Sequence, residues 1–377
     1  QGVRAISLKD ASNPTLLSTF ADVAGEPDVA GTWTEKTIVQ RVSTRNFKGD
    51  LAAVSFQNCS ANDTTSFRGF GVYDVSDPAN PRRLALVPTA SRGSHEIWLE
   101  SRPGGAYVYT AVQRAEERTS PDGVTPGPEK DFQVWDVSNP AEPAQVAQWG
   151  IWEELGLHPN TPQDGGRTGQ THSVIGDGRY AYLSYWDLGT VILDMRDPAR
   201  PVFRGKTSFT PAEDGNAHSA AILPSGKIMI QNDEDFSVRP TTPGRETAWG
   251  YSRFYAIDET GPDGLIVPRQ LATFELPTTR QNPAPDAGDY TVHDPKVRGN
   301  TVFYSWYAEG VVAVDVAGLR NGREPRMVAQ WKPPLPNPDP SGGLPDTGQV
   351  WGVALEGNLV LASDQNSGLY VLRLSRE

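Results

Sequence analysis

A repeat of roughly 57 to 64 residues is the feature of this 377-residue chain that most constrains its fold. In each copy a short apolar run ends in Asp and leads into an Asp-Pro or Asn-Pro turn, as in GVYDVSDPANP, QVWDVSNPAEP and VILDMRDPARP. Self-similarity at such a spacing predicts a propeller or an array rather than a set of unrelated domains. We call this residue the marker aspartate. It occurs at Asp74, Asp136, Asp194, Asp258 and Asp315, and Leu372 takes its place in the last copy.

Each copy contains four short runs rich in Val, Ile, Tyr, Trp and Phe, separated by clusters of Gly, Pro, Asn and Asp, which is typical of a strand meander. No window of helical periodicity competes with them. Four-stranded sheets repeated radially are the blades of a β-propeller. The sequence therefore predicts an all-β chain that forms a single β-propeller domain over residues 1–377, with six four-stranded blades. The predicted blades are 34–87, 94–149, 171–207, 217–274, 292–331 and 350–377, and their first strands are 36–42, 94–99, 171–175, 217–222, 292–297 and 350–355.

The two ends of the chain complement each other in this pattern. The last copy stops after its third strand, whereas residues 5–20 resemble the second half of a repeat. We therefore expect residues 16–20 to supply the missing outer strand and close the ring. Seven blades stay open as an alternative, because residues 5–8 also resemble a third strand.

The composition and net charge of the chain argue against some classes of binding partner. A net charge of -12 argues against nucleic acid and against an anionic membrane surface. No apolar run approaches the roughly 20 residues that span a bilayer. The single cysteine, Cys59, excludes an internal disulfide. The composition is more typical of an extracytoplasmic protein given in mature form than of a cytoplasmic one, and we expect the periplasm, the cell envelope or secretion.

Four of the five histidines stand at one position of the repeat, just before the first strand of successive copies. They are His95, His172, His218 and His293. Twelve residues separate His172 from Ser184, His293 from Ser305 and, in the sixth copy, Trp351 from Ser363. The first copy has no histidine here, and Gln40 or Ser43 is its nearest equivalent by sequence.

First strands line the central channel of a propeller, so these four imidazoles are predicted to converge on a metal ion. Imidazole suits copper, zinc and iron, and the ligand set alone does not choose among them. Gln40 and Trp351 would complete the ring, and Glu96 and Asp294 are predicted to support the ligands. The alternative is a structural ring, because related repeats inherit residues from one ancestor. The fifth histidine, His158, is expected at the surface or the channel mouth.

Turns between second and third strands carry a second group of bulky and acidic residues. Trp186, Asp187, Trp306 and Glu309 are predicted to surround the channel mouth. The marker aspartates are expected to be structural, since Asp before a turn bonds its own backbone.

The copies VYDVSDPANP, VWDVSNPAEP and VILDMRDPARP resemble the LVIVD-repeat proteins, which are bacterial propellers that are mostly exported. The third copy, THSVIGDGRYAYLSYWDLGTVILDMRDPARP, is also similar to the histidine-containing blade of the selenium-binding protein and methanethiol oxidase family. That resemblance implies copper and carries His172, and more loosely the other three histidines, over as metal ligands. The redox cysteine of that family has no clear counterpart, since Cys59 lies in QNCSAND. Carotenoid cleavage oxygenases also hold iron with four propeller histidines, but no other motif of theirs is present.

Two classes of function follow. The first is a copper-dependent oxidoreductase that acts on a small molecule, such as superoxide, dioxygen or a thiol. An anionic substrate would need a local positive rim on this acidic protein, for which Arg92, Arg167 and Arg253 are the candidates. The second is a non-catalytic scaffold that binds another envelope protein, with a structural metal or none.

Overall fold

The chain is all-β and has the fold of a six-bladed β-propeller with antiparallel four-stranded blades. The computed structural model describes residues 2–59, 63, 65–89, 93–112, 129–157, 171–236, 238 and 246–374. Within these ranges, helix is confined to one short α-helix, α1 (Ile151–Leu155), and two single 3-10 turns, Pro27–Val29 and Leu319–Asn321. No helix in this part of the chain is long and apolar enough to cross a membrane.

Contacts between residues group the chain into two compact units. Unit 1 comprises Gln1–Leu183 and Ile192–Phe203, and unit 2 comprises Ser184–Val191 and Arg204–Glu377. The assignment of all repeats to a single domain stays a prediction.

Unit 1 contains an N-terminal hairpin, the first two blades and part of the third. In the first blade β5 is central and pairs with β3, β4 and β6, while the second blade follows chain order. The strands are β1 (Val3–Ser7), β2 (Thr15–Phe20), β3 (Thr32–Trp33), β4 (Thr37–Ser43), β5 (Lys48–Asn58), β6 (Gly69–Asp74), β7 (Arg82–Pro88), β8 (Ser94–Arg102), β9 (Gly105–Val112), β10 (Phe132–Asp136) and β11 (Ala144–Trp149).

The third blade is a four-stranded sheet whose residues are divided between the two units, and unit 2 contains the fourth to sixth blades, each paired in chain order. The strands are β12 (Ser173–Gly176), β13 (Tyr180–Ser184), β14 (Thr190–Asp194), β15 (Val202–Lys206), β16 (Ala217–Ile222), β17 (Ile228–Asp233), β18 (Ser252–Ala256), β19 (Arg269–Phe274), β20 (Pro295–Arg298), β21 (Thr301–Trp306), β22 (Gly310–Asp315), β23 (Arg326–Trp331), β24 (Val350–Glu356), β25 (Leu359–Asp364) and β26 (Gly368–Arg373).

Continuous apolar runs in the central strands explain the cores. Central strands are buried on both faces, and they carry near-continuous apolar runs such as those of β5, β14 and β22. In unit 1 one cluster includes Leu51, Phe70 and Ile97. In unit 2 one cluster includes Phe254 and Trp306.

Four of the five marker aspartates have the structural role predicted for them. Asp74, Asp136, Asp194 and Asp315 each accept a bond from the backbone N–H two residues later, at 2.8 to 3.1 Å. This bond fixes the turn that leads to the outer strand, because Asp can mimic a backbone turn with its own carboxylate.

The N-terminal strand does not take the predicted place. Strand β2 pairs with β1 in a separate two-stranded sheet, and the sixth sheet contains β24, β25 and β26. The prediction that residues 16–20 form the outer strand of the sixth blade is therefore wrong at the level of strand pairing. Strands β1 and β2 pair with each other as the third and fourth strands of a repeat do, so the similarity to the second half of a repeat described the hairpin but not the sheet that it joins.

Candidate metal centre

In unit 1, two histidines from successive blades meet at a carboxylate. The Nε2 atoms of His95 and His172 are 2.7 Å apart, and Glu35 Oε2 is 3.5 Å from His95 Nε2. One oxygen of Glu35 and one ring nitrogen of each histidine all lie within 4.8 Å of one another. Both histidines are buried, with 7% and 4% of their surface exposed. We call Glu35, His95 and His172 the unit 1 group.

The partners of His95 fix how its ring is turned. Gln57 Oε1 lies 2.8 Å from Nδ1, so a proton on Nδ1 is held there and Nε2 keeps its lone pair for a ligand. Trp33 packs edge-on against the ring at 5.8 Å between centroids. A carboxylate oxygen of Glu96 lies within 4.8 Å of a ring nitrogen of His172, and Lys36 Nζ approaches Glu96 Oε1 at 3.3 Å. The predicted support from Glu96 thus has a structural counterpart beside His172.

In unit 2, a second pair of histidines faces one carboxylate. The rings of His218 and His293 are 4.2 Å apart between centroids. Glu234 lies between them, since its Oε2 is 3.4 Å from His218 Nε2 and its Oε1 is 3.8 Å from His293 Nε2. His218 is completely buried, and His293 and Glu234 are 4% and 7% exposed. We call Glu234, His218 and His293 the unit 2 group.

Aromatic rings pack around the unit 2 group. Tyr307 and Trp351 lie 5.5 and 5.6 Å from His293, and Trp186 lies 5.9 Å from His218, between ring centroids. The Tyr307 hydroxyl donates to Glu234 Oε1 at 2.6 Å. The predicted site residues Trp186 and Trp351 are therefore in contact with histidines of this group.

A β-bulge occurs at the histidine position in more than one blade. The register of β16 on β17 shifts between Ala217 and Ser219, which leaves His218 as the extra residue. The register of β24 on β25 shifts in the same way at Trp351, between Val350 and Gly352. The shift between Ser94 and Ile97 includes both His95 and Glu96. Bulges redirect side chains next to functional sites, and strict alternation therefore fails here.

The first blade contributes a glutamate at the histidine position, not Gln40. In the fifth blade, the residue after His293 exchanges backbone bonds with Ser305, since Asp294 N donates to Ser305 Oγ at 2.9 Å and Ser305 N to Asp294 O at 3.0 Å. In the first blade, Lys36 and Ser55 make the same bonds at 3.1 and 3.0 Å. Glu35, which precedes Lys36, is thus the counterpart of His293.

The prediction for Gln40 is therefore corrected. Gln40 lies further along β4, paired with Leu51. The longer hairpin between β4 and β5 hid the register in the sequence. The signal that would have found Glu35 is the serine of LAAVSFQ, which aligns with Ser184 and Ser305.

A second repeat position, two residues beyond that serine, faces the histidines. We call it the turn residue. It is Gln57, Trp186, Glu234 and Tyr307 in the first, third, fourth and fifth blades, respectively. Trp186 and Tyr307 have φ values of 40° and 32°, which for a bulky side chain costs on the order of 1–3 kcal/mol and is found mainly where the surrounding structure enforces it. Each is held by an isolated backbone bridge, Trp186 to Ala217 and Tyr307 to Val350.

Two of the predicted mouth residues belong elsewhere. Trp306 is completely buried in the core cluster of unit 2, and its Nε1 donates to the backbone oxygen of Tyr290 at 2.7 Å. Glu309 accepts from Thr278, Gln330 and Lys332. The neighbouring Tyr307, not Trp306, is the residue beside the histidines.

Two further predicted residues have local partners. Asp187 Oδ1 accepts the backbone N–H of Asn216 at 3.1 Å, and it lies one residue after Trp186. Asp294, the residue before β20, pairs with Lys296 of that strand at 2.6 Å. Asp187 therefore stabilises the backbone before β16, and Asp294 stabilises the start of β20; a histidine of the unit 2 group lies in or next to each segment.

The predicted positive rim is not formed by Arg253. This residue is 1% exposed, its Nε lies 2.5 Å from Asp233 Oδ2, and it also pairs with Glu213. Its charge is neutralised inside the protein. His158, Arg92 and Arg167 lie outside the described residues.

Two imidazoles and one carboxylate in a buried setting form a donor set that suits zinc, iron and copper. The fold and the unit 1 group define a class: a β-propeller with a buried histidine–glutamate group that could hold a metal ion. More particularly, the LVIVD repeat model matches residues 168–208, which contain His172 and the third marker aspartate. The chain therefore carries an LVIVD repeat, as predicted.

Solved structures agree on the fold. Sqt1 of Saccharomyces cerevisiae is 9% identical, with a TM-score of 0.54 over 98% of this chain and 77% of that protein. Sqt1 of Chaetomium thermophilum, bound to the N-terminus of the ribosomal protein L10, is 13% identical, with a TM-score of 0.51 over 99% of this chain and 78% of that protein. No curated protein matches the sequence, so the resemblance to selenium-binding proteins has no support from these comparisons.

Proposed function

We propose that this protein binds a redox metal, copper, through its histidine–glutamate groups and uses it as a small-molecule oxidoreductase. The observation that carries the proposal is the 2.7 Å approach of His95 Nε2 to His172 Nε2, with the Glu35 carboxylate 3.5 Å from the former. This arrangement supports the proposal, because two buried imidazoles that turn the same nitrogen toward each other beside a carboxylate offer three donor atoms to one cation.

The choice of copper rests on resemblance, because two imidazoles and a carboxylate suit zinc, iron and copper alike. Copper is the metal that the similarity of the third copy to the selenium-binding protein and methanethiol oxidase family implies. The 2.7 Å between His95 Nε2 and His172 Nε2 is also the length of a hydrogen bond between the two rings, so the distance does not select a metal.

The substrate that fits this proposal is small. Both groups are buried, so a substrate that reaches them must be small, such as a diatomic or a small thiol, rather than a polymer. Dismutation of superoxide needs only a metal that cycles between two oxidation states and an open coordination position. The net charge of -12 and the internal pairing of Arg253 disfavour long-range attraction of an anion. A neutral thiol does not depend on such attraction.

Elemental analysis of the full chain tests whether it binds copper. The protein is purified without added metal, exposed to one or more equivalents of Cu(II) and desalted before the measurement. One copper per chain is the result that the register of four histidines predicts. Two per chain would assign a separate ion to each group. Protein that retains no copper would contradict the proposal.

Variants assign the ligands. The pair His95→Ala and His172→Ala tests the unit 1 group, and His218→Ala and His293→Ala tests the unit 2 group. Each pair should lower copper retention while the circular dichroism of the β-sheets persists. Superoxide dismutase and thiol oxidase assays on the copper form then distinguish the substrates, and no activity in either assay would contradict the oxidoreductase part.

A second candidate function is a protein-binding scaffold, and two observations favour it. Strand β26 is the outermost strand of a three-stranded sheet, and a groove of about 250 Å³ beside it is lined by apolar residues such as Phe303, Trp331 and Leu372. One structural neighbour, Sqt1, is bound to a peptide segment of a ribosomal protein. We propose another cell-envelope protein as the partner. Binding that survives loss of all four histidines would favour this function over the first.

We further propose that the protein acts outside the cytoplasm, in the periplasm, in the cell envelope or after secretion, as the LVIVD-repeat resemblance implies. Fractionation of the producing cells with an antibody against the chain tests this location. A signal confined to the cytoplasmic fraction would contradict it.

A further inference from the structure

The turn residue of the fifth blade has an unusual backbone. Tyr307 has a φ of 32°, in the region that favours glycine, although it carries a bulky ring. Trp186, at the same position of the third blade, has a φ of 40°. Both rings pack against a histidine of the unit 2 group. Strain that recurs at one repeat position, each time beside a histidine, points to a role for the side chain, because a glycine would satisfy the turn.

The two strained residues differ in what they offer the site. Trp186 presents an indole edge to His218, whereas Tyr307 also has a hydroxyl directed at a carboxylate. That hydroxyl donates to Glu234 Oε1 at 2.6 Å. The same oxygen is the one nearer to His293 Nε2, at 3.8 Å, and the other oxygen of Glu234 is 3.4 Å from His218 Nε2.

We propose that Tyr307 is a positioning residue that holds the Glu234 carboxylate across the two histidines of the unit 2 group. This bond is one of the contacts that restrain the terminal torsion of Glu234, which for glutamate is intrinsically broad. With it, one oxygen is directed toward each Nε2. The inference rests on the proposed function, since the unit 2 group is one of the two groups through which that function would bind copper.

The backbone around Tyr307 fixes the position of its side chain. Its N–H donates to Val350 O at 3.1 Å and its carbonyl accepts from Val350 N at 3.3 Å. Phe236 packs edge-on against its ring at 5.7 Å. The ring is therefore fixed from both ends, and replacement by Phe removes the hydroxyl with little change in shape.

The test uses Cu(II) alone as the probe and the full chain throughout. Tyr307→Phe should weaken Cu(II) binding about tenfold, because partners that orient a ligand are worth roughly 10 to 100-fold in metal affinity. It should also change the electron paramagnetic resonance spectrum of the bound Cu(II). The matched control is Tyr304→Phe, which removes another buried hydroxyl of the same blade, bonded to Ser252 at 3.0 Å. The control should bind Cu(II) as the wild type does, with an unchanged spectrum.

A double-mutant cycle separates positioning from general loss of structure. If Tyr307 acts through Glu234, the loss caused by Tyr307→Phe should largely disappear in the Glu234→Gln background. Additive losses would overturn the inference, and so would a Tyr307→Phe protein with wild-type affinity and spectrum. A wild-type protein that binds no copper would instead contradict the proposed function, and the inference with it.

Discussion

The unit 1 group and the unit 2 group present the same donors, two histidines and one glutamate, but they obtain the glutamate from different repeat positions. Glu35 occupies the histidine position of the first blade, whereas Glu234 is the turn residue of the fourth. The supporting residues also differ, because Gln57 holds a histidine and Tyr307 holds the carboxylate. The comparison shows that the repeat fixes the position of the histidines. The carboxylate that accompanies them comes from a different repeat position in each group.

The largest difference between the units should be in stability. Arg253 of unit 2 is buried with Asp233 and Glu213, so Arg253→Ala should cost about 3–5 kcal/mol, since it leaves a buried carboxylate unpaired. Arg83 of unit 1 bonds Glu26 and Asp28 at 2.7 Å but is 30% exposed, and Arg83→Ala should cost about 1 kcal/mol or less. Chemical denaturation measures both, and equal losses would show that burial is not the controlling difference.

The next largest effect should be on Cu(II) affinity, and it depends on which residue of the first blade is the ligand. Glu35→Ala should weaken Cu(II) binding by roughly 10 to 100-fold, and Gln40→Ala should leave it unchanged. The two residues are five positions apart in the same blade. Gln40 is the ligand position expected from the sequence and Glu35 is the one found in the structure, so the two variants distinguish these assignments. Isothermal titration with Cu(II) decides between them. A loss for Gln40→Ala and none for Glu35→Ala would restore the alignment made from sequence alone.

The support of His95 should have a smaller effect. Gln57→Leu removes the partner of His95 Nδ1 and should weaken Cu(II) binding about tenfold. Gln133, a buried glutamine of the second blade that bonds Glu129 and the backbone of Lys130, provides the control Gln133→Leu. If both variants bind Cu(II) equally well, the orientation of His95 does not limit affinity.

The smallest effect concerns a marker aspartate of unit 1. Burial opposes ionisation of Asp194, but the bonds that it accepts from the side chain and backbone of Arg196 outweigh burial and lower its pKa. A carboxyl with a lowered folded pKa stabilises the protein above its unfolded pKa of about 3.9, and this contribution is lost as the pH falls through the folded value.

Asp194→Asn should therefore cost about 1 kcal/mol at pH 7, and the gap to the wild type should close below about pH 4. Thermal unfolding from pH 7 to pH 2 measures it. Asp315→Asn, which removes the charge in unit 2 but keeps an oxygen that can accept the backbone N–H of Ala317, provides the comparison. A gap that stays constant with pH would show that ionisation of Asp194 does not contribute.

The sequence by itself determined the repeat, the all-β class, the six first strands and the register of the four histidines. It could do so because alternating apolar strands, Pro turns and marker aspartates are local patterns, and they recur often enough to be aligned. The first strands predicted at 94–99, 217–222 and 350–355 lie within β8, β16 and β24.

Tertiary structure alone decided how the sites are completed. Glu35 was hidden by a longer hairpin, and Glu234 and Tyr307 stand in a turn where acidic and aromatic residues are common. Bulges at His95, His218 and Trp351 break the alternation by which sequence assigns a side chain to a face. Such choices depend on contacts between distant segments, which a local pattern does not contain.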